Sequence, residues 1–306
     1  MKILSIPFAK SLWFFMVKIN PKFCCKLMYR KSLGKKLDLK NPKDLNEKIQ
    51  WLKFHTDLRV WARLADKYAV REYVRERGLD DILVKLYGKY DTPDELLKDW
   101  DKFPPKFVLK SNNGCGTVKL VKDKNRVDKE QLKAELRHWL KQKDIGVGTI
   151  EPHYNLIKPC LIVEELLEDN SVNSFSKSLI DYKIWCFNGK PFCCAALYDR
   201  TIGGHTTVFD LYDLDWRPIR NSVTHSEARH YNLVLPKPKN WEQMLDCARK
   251  LSSGHPEVRV DLYNIAGRIY FGEMTFTAKG GYQDNYSEDL LLEMGKQIDL
   301  NVVAHK

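Results

Sequence analysis

The clearest alternation of apolar and polar positions lies at residues 258–263, where Val258, Val260 and Leu262 interleave with Arg259, Asp261 and Tyr263. A period of two gives a strand one apolar face, and the other face here carries a cation and a carboxylate two residues apart. Glu273 and Thr275 share a face of the following run by the same period, and Asn264 with Gly267 supplies the turn between the runs. A bulge or an odd loop length brings Asp261 and Glu273 onto one side. Taken alone, the pair of strands also fits an ordinary surface hairpin with its charges in water.

Elsewhere the periods set out the rest of the chain. Residues 44–100 read as helical, with Trp61, Leu64, Ala65 and Tyr68 on one stripe, Lys67 projecting away from it, and Thr92-Pro93-Asp94-Glu95 as a helix start with proline first. From Pro104 the character changes: residues 107–110 and 117–121 read as strands joined by the polar, glycine-containing turn 111–116. Asp128 with Gln131 starts a helix whose apolar face is Leu132, Leu136, Trp139 and Leu140. Residues 159–167 read as a buried strand ending in the acids Glu164 and Glu165, and Asn188-Gly189 marks a hairpin between 182–187 and 191–198. Helices over 241–251 and 287–298 follow. The fold class is α+β: a helical region at 41–103, a small α+β unit at 104–165 and a larger, antiparallel α+β unit at 166–306, all preceded by residues 1–40.

With 306 residues, 43% hydrophobic and 30% charged, the chain supports two or three subdomains and excludes disorder as the default state. Its net charge of +11 would suggest a nucleic-acid partner, but nine of those charges belong to residues 1–40, where nine lysines and Arg30 face Asp38 alone. No nucleic-acid partner is therefore expected. The same segment holds Leu4, Ile6, Phe8, Leu12, Trp13, Phe14, Phe15, Met16, Val17 and Ile19, broken by Lys10 and Lys18. Its uninterrupted part, 11–17, falls well short of the roughly 20 residues that span a bilayer. No small-residue cleavage site follows. Two readings stay open: a basic amphipathic segment lying on the inner face of the cytoplasmic membrane, or a helix packing on the protein's own core. The eight cysteines show no metal-ligand spacing and read as buried thiols of a cytoplasmic protein, without disulfides.

Several positions invite phosphate chemistry. Lys110 ends an apolar strand, and Ser111, Asn112, Gly114 and Gly116 lie in the turn after it, where backbone N–H groups can close over phosphates while the ammonium reaches them. Lys67 is placed either to stand in water or to reach the same nucleotide. Glu164-Glu165 suits an adenine and ribose slot, where strand backbone pairs with the purine edge and an acid accepts from ribose. Lys183 takes a polar position on a hairpin strand. Two carboxylates, Asp261 and Glu273, are enough protein ligands for Mg²⁺ bound together with phosphate.

The order Lys67, Lys110 with its glycine turn, Glu164-Glu165, Lys183, Arg259-x-Asp261 and Glu273-x-Thr275 before Gly280-Gly281 resembles the ATP-grasp superfamily, and within it the TupA-like branch found with surface-polysaccharide biosynthesis. The motifs are F-V-L-K-S-N-N-G-C-G (107–116), I-K-P-C-L-I-V-E-E-L-L (157–167), D-Y-K-I-W-C-F-N-G-K (181–190), V-R-V-D-L-Y (258–263) and F-G-E-M-T-F-T (271–277), within about residues 40–300. The resemblance implies two α+β subdomains clasping ATP. It implies that Lys67 and Lys110 contact phosphate and that Ser111, Asn112, Gly114 and Gly116 form the covering turn. Glu164, Glu165, Leu166 and Leu167 would form the adenine hinge, Asp261 and Glu273 hold Mg²⁺, and Arg259 and Lys183 serve catalysis. Thr275 stands where superfamily members usually carry asparagine, which implies weaker hold on a second Mg²⁺. The activity implied is an ATP-dependent ligase that phosphorylates a carboxylate and lets an amine displace phosphate, with a carboxylate-bearing sugar or amino acid as substrate. Against it stand a glycosyltransferase, for which Asp213-Leu214-Asp215 is a candidate metal motif although it reads as a turn, and a non-catalytic nucleotide-binding component. A kinase would need H-R-D or D-F-G patterns that the chain lacks.

Overall fold

A computed structural model describes residues 7–114, 116–142, 145–169, 176, 178–199, 208–220, 222 and 234–303. The first two helices, α1 (Pro7–Ile19) and α2 (Pro21–Leu33), meet at Asn20, whose side chain accepts from the Phe23 N–H at 3.0 Å and caps α2. Cys24, Cys25, Met28 and Tyr29 of α2 are buried against Leu37, Ile150 and Tyr282. Helices α3 (Leu45–His55), α4 (Leu58–Ala65) and α5 (Val70–Glu76) follow. Lys67 does not lie on a helix, contrary to the sequence stripe, and Tyr68 is exposed while Trp61 and Leu64 are buried. The cause is Asp66, whose carboxylate accepts from the N–H groups of Tyr68 and Ala69 at 2.8 and 3.1 Å and turns the chain after α4.

The helical reading of residues 44–100 also misses a strand, β1 (Leu86–Tyr90), which precedes α6 (Pro93–Lys98). A five-residue run carries no period of its own, and β1 exists because it pairs with a distant strand, β4. Thr92 caps α6 with proline at its first turn, as the sequence indicates. Strands β2 (Phe107–Ser111) and β3 (Val118–Val121) form the expected hairpin, α7 (Lys129–Lys141) starts at Asp128, and β4 (Leu161–Glu164) completes an antiparallel sheet of order β1-β4-β2-β3. One face packs Phe107, Leu109, Leu161 and Val163 on Leu132, Leu136 and Trp139 of α7. Lys110 and Glu164 stand on the opposite face, diagonal to each other across the β2–β4 ladder.

The second sheet holds β5 (Asp181–Phe187), β6 (Lys190–Tyr198), β7 (Val208–Tyr212), β8 (Glu257–Ile265) and β9 (Arg268–Thr275) in the order β7-β6-β5-β8-β9, with α8 (Trp241–Ser252) between β7 and β8 in sequence. The Asn188-Gly189 turn joins β5 to β6 as the dipeptide predicts. Tyr182, Ile184, Val258, Val260 and Leu262 face α8. On the other face Trp185, Phe187, Cys193, Ala195, Phe209 and Leu211 pack on Leu45 and Ile49 of α3 and on α9 (Glu288–Gln297), and Lys183, Arg259, Asp261 and Glu273 stand on that same face. Among the described residues no helix is long and apolar enough to cross a membrane.

Candidate active site

The register of the second sheet assembles the charged face. Arg259 lies opposite Thr275, Asp261 opposite both Glu273 and Lys183, and Trp185 opposite Arg259. The hairpin keeps Asp261 and Glu273 on one side through a bulge after Asp261, where Gly272 is the extra residue of β9. A Cβ at Gly272 would stand 2.9 Å from the Asp261 carbonyl oxygen, so the bulge requires glycine. The sequence left that register open, and the structure closes it in favour of the shared face.

Within the cluster the Arg259 guanidinium grips Asp261 with Nε and Nη2 at 2.7 and 2.8 Å and donates to Thr275 Oγ1 at 3.2 Å. Lys183 bonds Asp261 from the neighbouring strand and Asp181 at 2.8 Å. Thr275 in turn donates to Glu273 at 3.3 Å, and Glu273 lies 3.6 Å from the Arg259 guanidinium. The two carboxylates differ in setting: the Asp261 side chain is 2% exposed, that of Glu273 41%. Burial pushes the Asp261 carboxyl up against the pull of Arg259 and Lys183. It also works against Glu273, but Lys67, Lys183, Arg259 and the Thr275 hydroxyl outweigh it and hold that pKa down at about 2. Burial disfavours the Lys183 ammonium as well, and Asp181 and Asp261 more than compensate, leaving it above the usual lysine value.

The first sheet brings the other half. Lys110 Nζ bonds Glu164 Oε2 at 2.7 Å, while the second carboxylate oxygen takes Arg71 Nη1 at 3.1 Å, and Arg71 also donates to the Val84 carbonyl at 2.7 Å. Glu164 is thus buried and committed to two cations. Glu165 leaves the ladder, its N–H donating to the Lys85 carbonyl at 2.9 Å, and Leu166 and Leu167 continue partly buried. Lys67 Nζ donates to the Gly114 carbonyl at 2.7 Å, which joins it to the turn after Lys110. Asn112 anchors that turn: its amide reaches Asp66 at 2.8 Å and its carbonyl oxygen accepts from Cys160 N–H at 2.8 Å. Ser111 pairs with Thr117 across the turn, and Gly116 has φ +84°, a conformation that favours glycine. Cys115 lies outside the described residues.

Sequence reasoning missed Arg71 and Asp181. Arg71 sits in V-R-E-Y-V-R-E, a helix pattern indistinguishable from a solvated face. Asp181 did carry a signal, since it stands two residues before Lys183 on one strand and therefore shares its face. Asp213-Leu214-Asp215 forms a tight turn in which Asp213 accepts from the Arg217 N–H at 2.7 Å and Asp215 pairs with Arg217 at 3.2 Å.

Two carboxylates and a hydroxyl are hard oxygen donors that fit Mg²⁺, with Asp261, Glu273 and Thr275 as the groups that would hold it. Among the described residues no group of three or more His, Cys, Asp or Glu side chains could hold a metal ion unaided, so such an ion would share its shell with ligand oxygens.

A family model described as TupA-like ATPgrasp matches residues 47–299. No curated protein matches the chain. Among solved structures, D-alanine–D-alanine ligase from Bacillus anthracis is similar at 14% identity with a TM-score of 0.44, over 83% of this chain and 72% of that one. Phosphoribosylamine–glycine ligase from Thermotoga maritima is similar at 15% identity and a TM-score of 0.43, over 72% of this chain and 50% of that one. N5-carboxyaminoimidazole ribonucleotide synthetase from Thermus thermophilus is similar at 11% and 0.41, over 76% and 51%. Because the matched span runs from α3 through α9 and takes in both sheets with every charged strand described above, the chain belongs to the TupA-like ATP-grasp family.

Proposed function

We propose that this chain is a cytoplasmic, ATP- and Mg²⁺-dependent carboxylate–amine ligase of bacterial surface-polysaccharide biosynthesis, with a carboxylate-bearing sugar or amino acid as substrate. The observation that carries the reading is the cluster of Lys183, Arg259, Asp261 and Glu273 from three neighbouring strands, with the Arg259 guanidinium bonded to Asp261 and 3.6 Å from Glu273, while Lys67 bonds the Gly114 carbonyl of the turn after Lys110. The 104–165 unit acts as the lid, and residues 166–306 carry the metal-binding hairpin. In the resting cluster Asp261 is neutralised by Arg259 and Lys183, and Glu164 by Lys110 and Arg71. With ATP and Mg²⁺ bound, Lys110 and Lys183 would contact phosphate oxygens while Asp261 and Glu273 would hold the cation, so little net charge would be desolvated. Bound Mg²⁺ supplies Lewis-acid neutralisation of the phosphate oxygens.

In the proposed reaction a substrate carboxylate oxygen attacks the γ-phosphorus and ADP leaves, giving an acyl phosphate. An amine nitrogen then attacks the acyl carbon, the C–O bond breaks, phosphate departs and the amine proton is released. Arg259, Lys183, Lys67 and Lys110 stabilise the charge that spreads over the phosphoryl oxygens, which requires no nucleophilic side chain. The turn at 111–116 covers the phosphates and keeps water from the acyl phosphate, and residues 164–167 hold the adenine.

The test is incubation of the full chain with Mg-ATP and panels of uronic acids, amino sugars and amino acids. Release of ADP and phosphate, with ¹⁸O from a labelled carboxylate appearing in the phosphate, is the expected result. Release of AMP and pyrophosphate, or turnover of a nucleotide sugar without ATP cleavage, would overturn it.

A further inference from the structure

The helical pair α1–α2 lies before the span shared with the family, and its two faces differ. On the inner side Trp13, Met16 and Val17 of α1 and Cys24, Cys25, Met28 and Tyr29 of α2 pack onto Ile150, Phe54 and Tyr282 of the body. On the outer side Leu12, Phe15 and Ile19 of α1 and Phe23 and Leu27 of α2 are 42–67% exposed, a large apolar surface left in water. Lys18, Lys26, Arg30 and Lys31 are exposed around them, and residues 1–40 hold nine of the chain's eleven net positive charges.

We propose that the outer face of α1–α2 is a docking surface for an anionic phospholipid membrane, lying in the interface with Leu12, Phe15, Ile19, Phe23 and Leu27 among the acyl chains and the basic residues among the headgroups. Charge decides between occupants. A second copy seated on this face would bring two strongly basic segments together in a self-complementary contact, with like charges facing. An anionic headgroup layer satisfies the lysines while the apolar side chains enter beneath it, and the two attractions add. The helices lie on the membrane and do not cross it, since among the described residues neither is long and apolar enough. This inference rests on the α1–α2 surface alone and stands or falls apart from the ligase reading.

The test is co-sedimentation of the full chain with phosphatidylcholine vesicles, with and without phosphatidylglycerol, at low and high salt. Binding is expected only with phosphatidylglycerol and should weaken with salt. The triple variant Lys18→Gln, Lys26→Gln and Lys31→Gln should lose about a hundredfold in partitioning, at about 1 kcal/mol per basic residue. The pair Phe15→Ser and Ile19→Ser should lose at least about tenfold. Both variants change exposed residues and should keep the parent melting temperature. Equal binding to neutral vesicles, no binding, or full-strength binding by folded variants would each overturn the proposal. So would a dimer in light scattering that Phe15→Ser with Ile19→Ser dissociates, because the face would then be covered by a second copy.

Discussion

At Asp261 one carboxylate receives a guanidinium through two bonds and an ammonium from the next strand, with almost no access to water. Removing the charge from such a site takes from buried Arg259 the carboxylate it grips and leaves Lys183 with Asp181 alone, so Asp261→Asn should destabilise the protein by about 3 kcal/mol as well as slow turnover. Glu273 is a cleaner probe because its side chain reaches solvent. Glu273→Gln should keep its melting temperature and ATP affinity while lowering kcat about a hundredfold, since the lost carboxylate acts on charge that develops during transfer. Lys110→Ala should behave in the opposite way, raising the Kd for ATP about tenfold by loss of a charge-assisted bond to phosphate. Equal effects of both variants on binding and turnover would remove the division of labour. His153 allows a separate test. Both its ring nitrogens are buried without partners, and burial, aided by Lys53, holds its pKa at about 3. The unfolded chain binds a proton near pH 6.5 that the folded chain refuses until about pH 3, so stability falls as pH drops through this window. By pH 5 the loss is about 2 kcal/mol, and His153→Phe should abolish that part of it in denaturation curves at pH 7 and pH 5.

At the scale of elements, the hairpin of β8 and β9 depends on its bulge. Pairing without the extra residue would flip Glu273 to the face that packs on α8, because side chains alternate along a strand. Gly272→Val places a Cβ against the Asp261 carbonyl and within 3.3 Å of the Tyr263 ring. The expected outcome is a destabilisation of about 1–3 kcal/mol together with a fall in kcat larger than that in ATP affinity, because the opening bulge moves Glu273 away from Asp261. Unchanged kcat in a folded Gly272→Val protein would show that the bulge does not set the site. The elements most legible in the chain were those with a local signature: caps at Thr92, Asp128 and Ser287, and the Asn188-Gly189 turn. Strand β1 had none, and it forms only where β4 offers a ladder.

Across the whole molecule the two sheets are tied through the helical region. The Lys67 N–H donates to Asn112 at 3.1 Å, Asn112 reaches Asp66, and Arg71 holds Glu164. On the other side Gln50 and Lys53 of α3 bond the carbonyls of Gly280 and Gly281 at 2.6–3.1 Å, fixing the turn after β9. A ligand that bridges both sheets must therefore stabilise the assembly as a unit. At a hundredfold excess over its Kd, Mg-ATP should add about 2.7 kcal/mol, seen as a rise of several degrees in melting temperature that chelation of the metal reduces. No rise at millimolar Mg-ATP would count against nucleotide binding in this cleft.

The sequence by itself determined which faces the strands and helices present, because periods of two and 3.6 residues are local properties of the chain. That was enough to put Arg259 with Asp261 and Glu273 with Thr275 on shared faces and to expect an amphipathic segment near Trp13, while the roles of these residues and of Lys183 came from the resemblance to the ATP-grasp superfamily. Only the tertiary structure decided what each face meets. Glu164, which reads as one acid of an adenine and ribose slot, became the buried partner of Lys110 and Arg71, and Lys67, which reads as helical, lies in the turn after Asp66 with its ammonium on the Gly114 carbonyl. The two readings of the N-terminal segment were settled in the same way for its inner side: one face of α1–α2 packs on the body, while the other stays in water. These outcomes depend on pairs of residues far apart in sequence, brought together by strand pairing and core packing, and no local period carries that information.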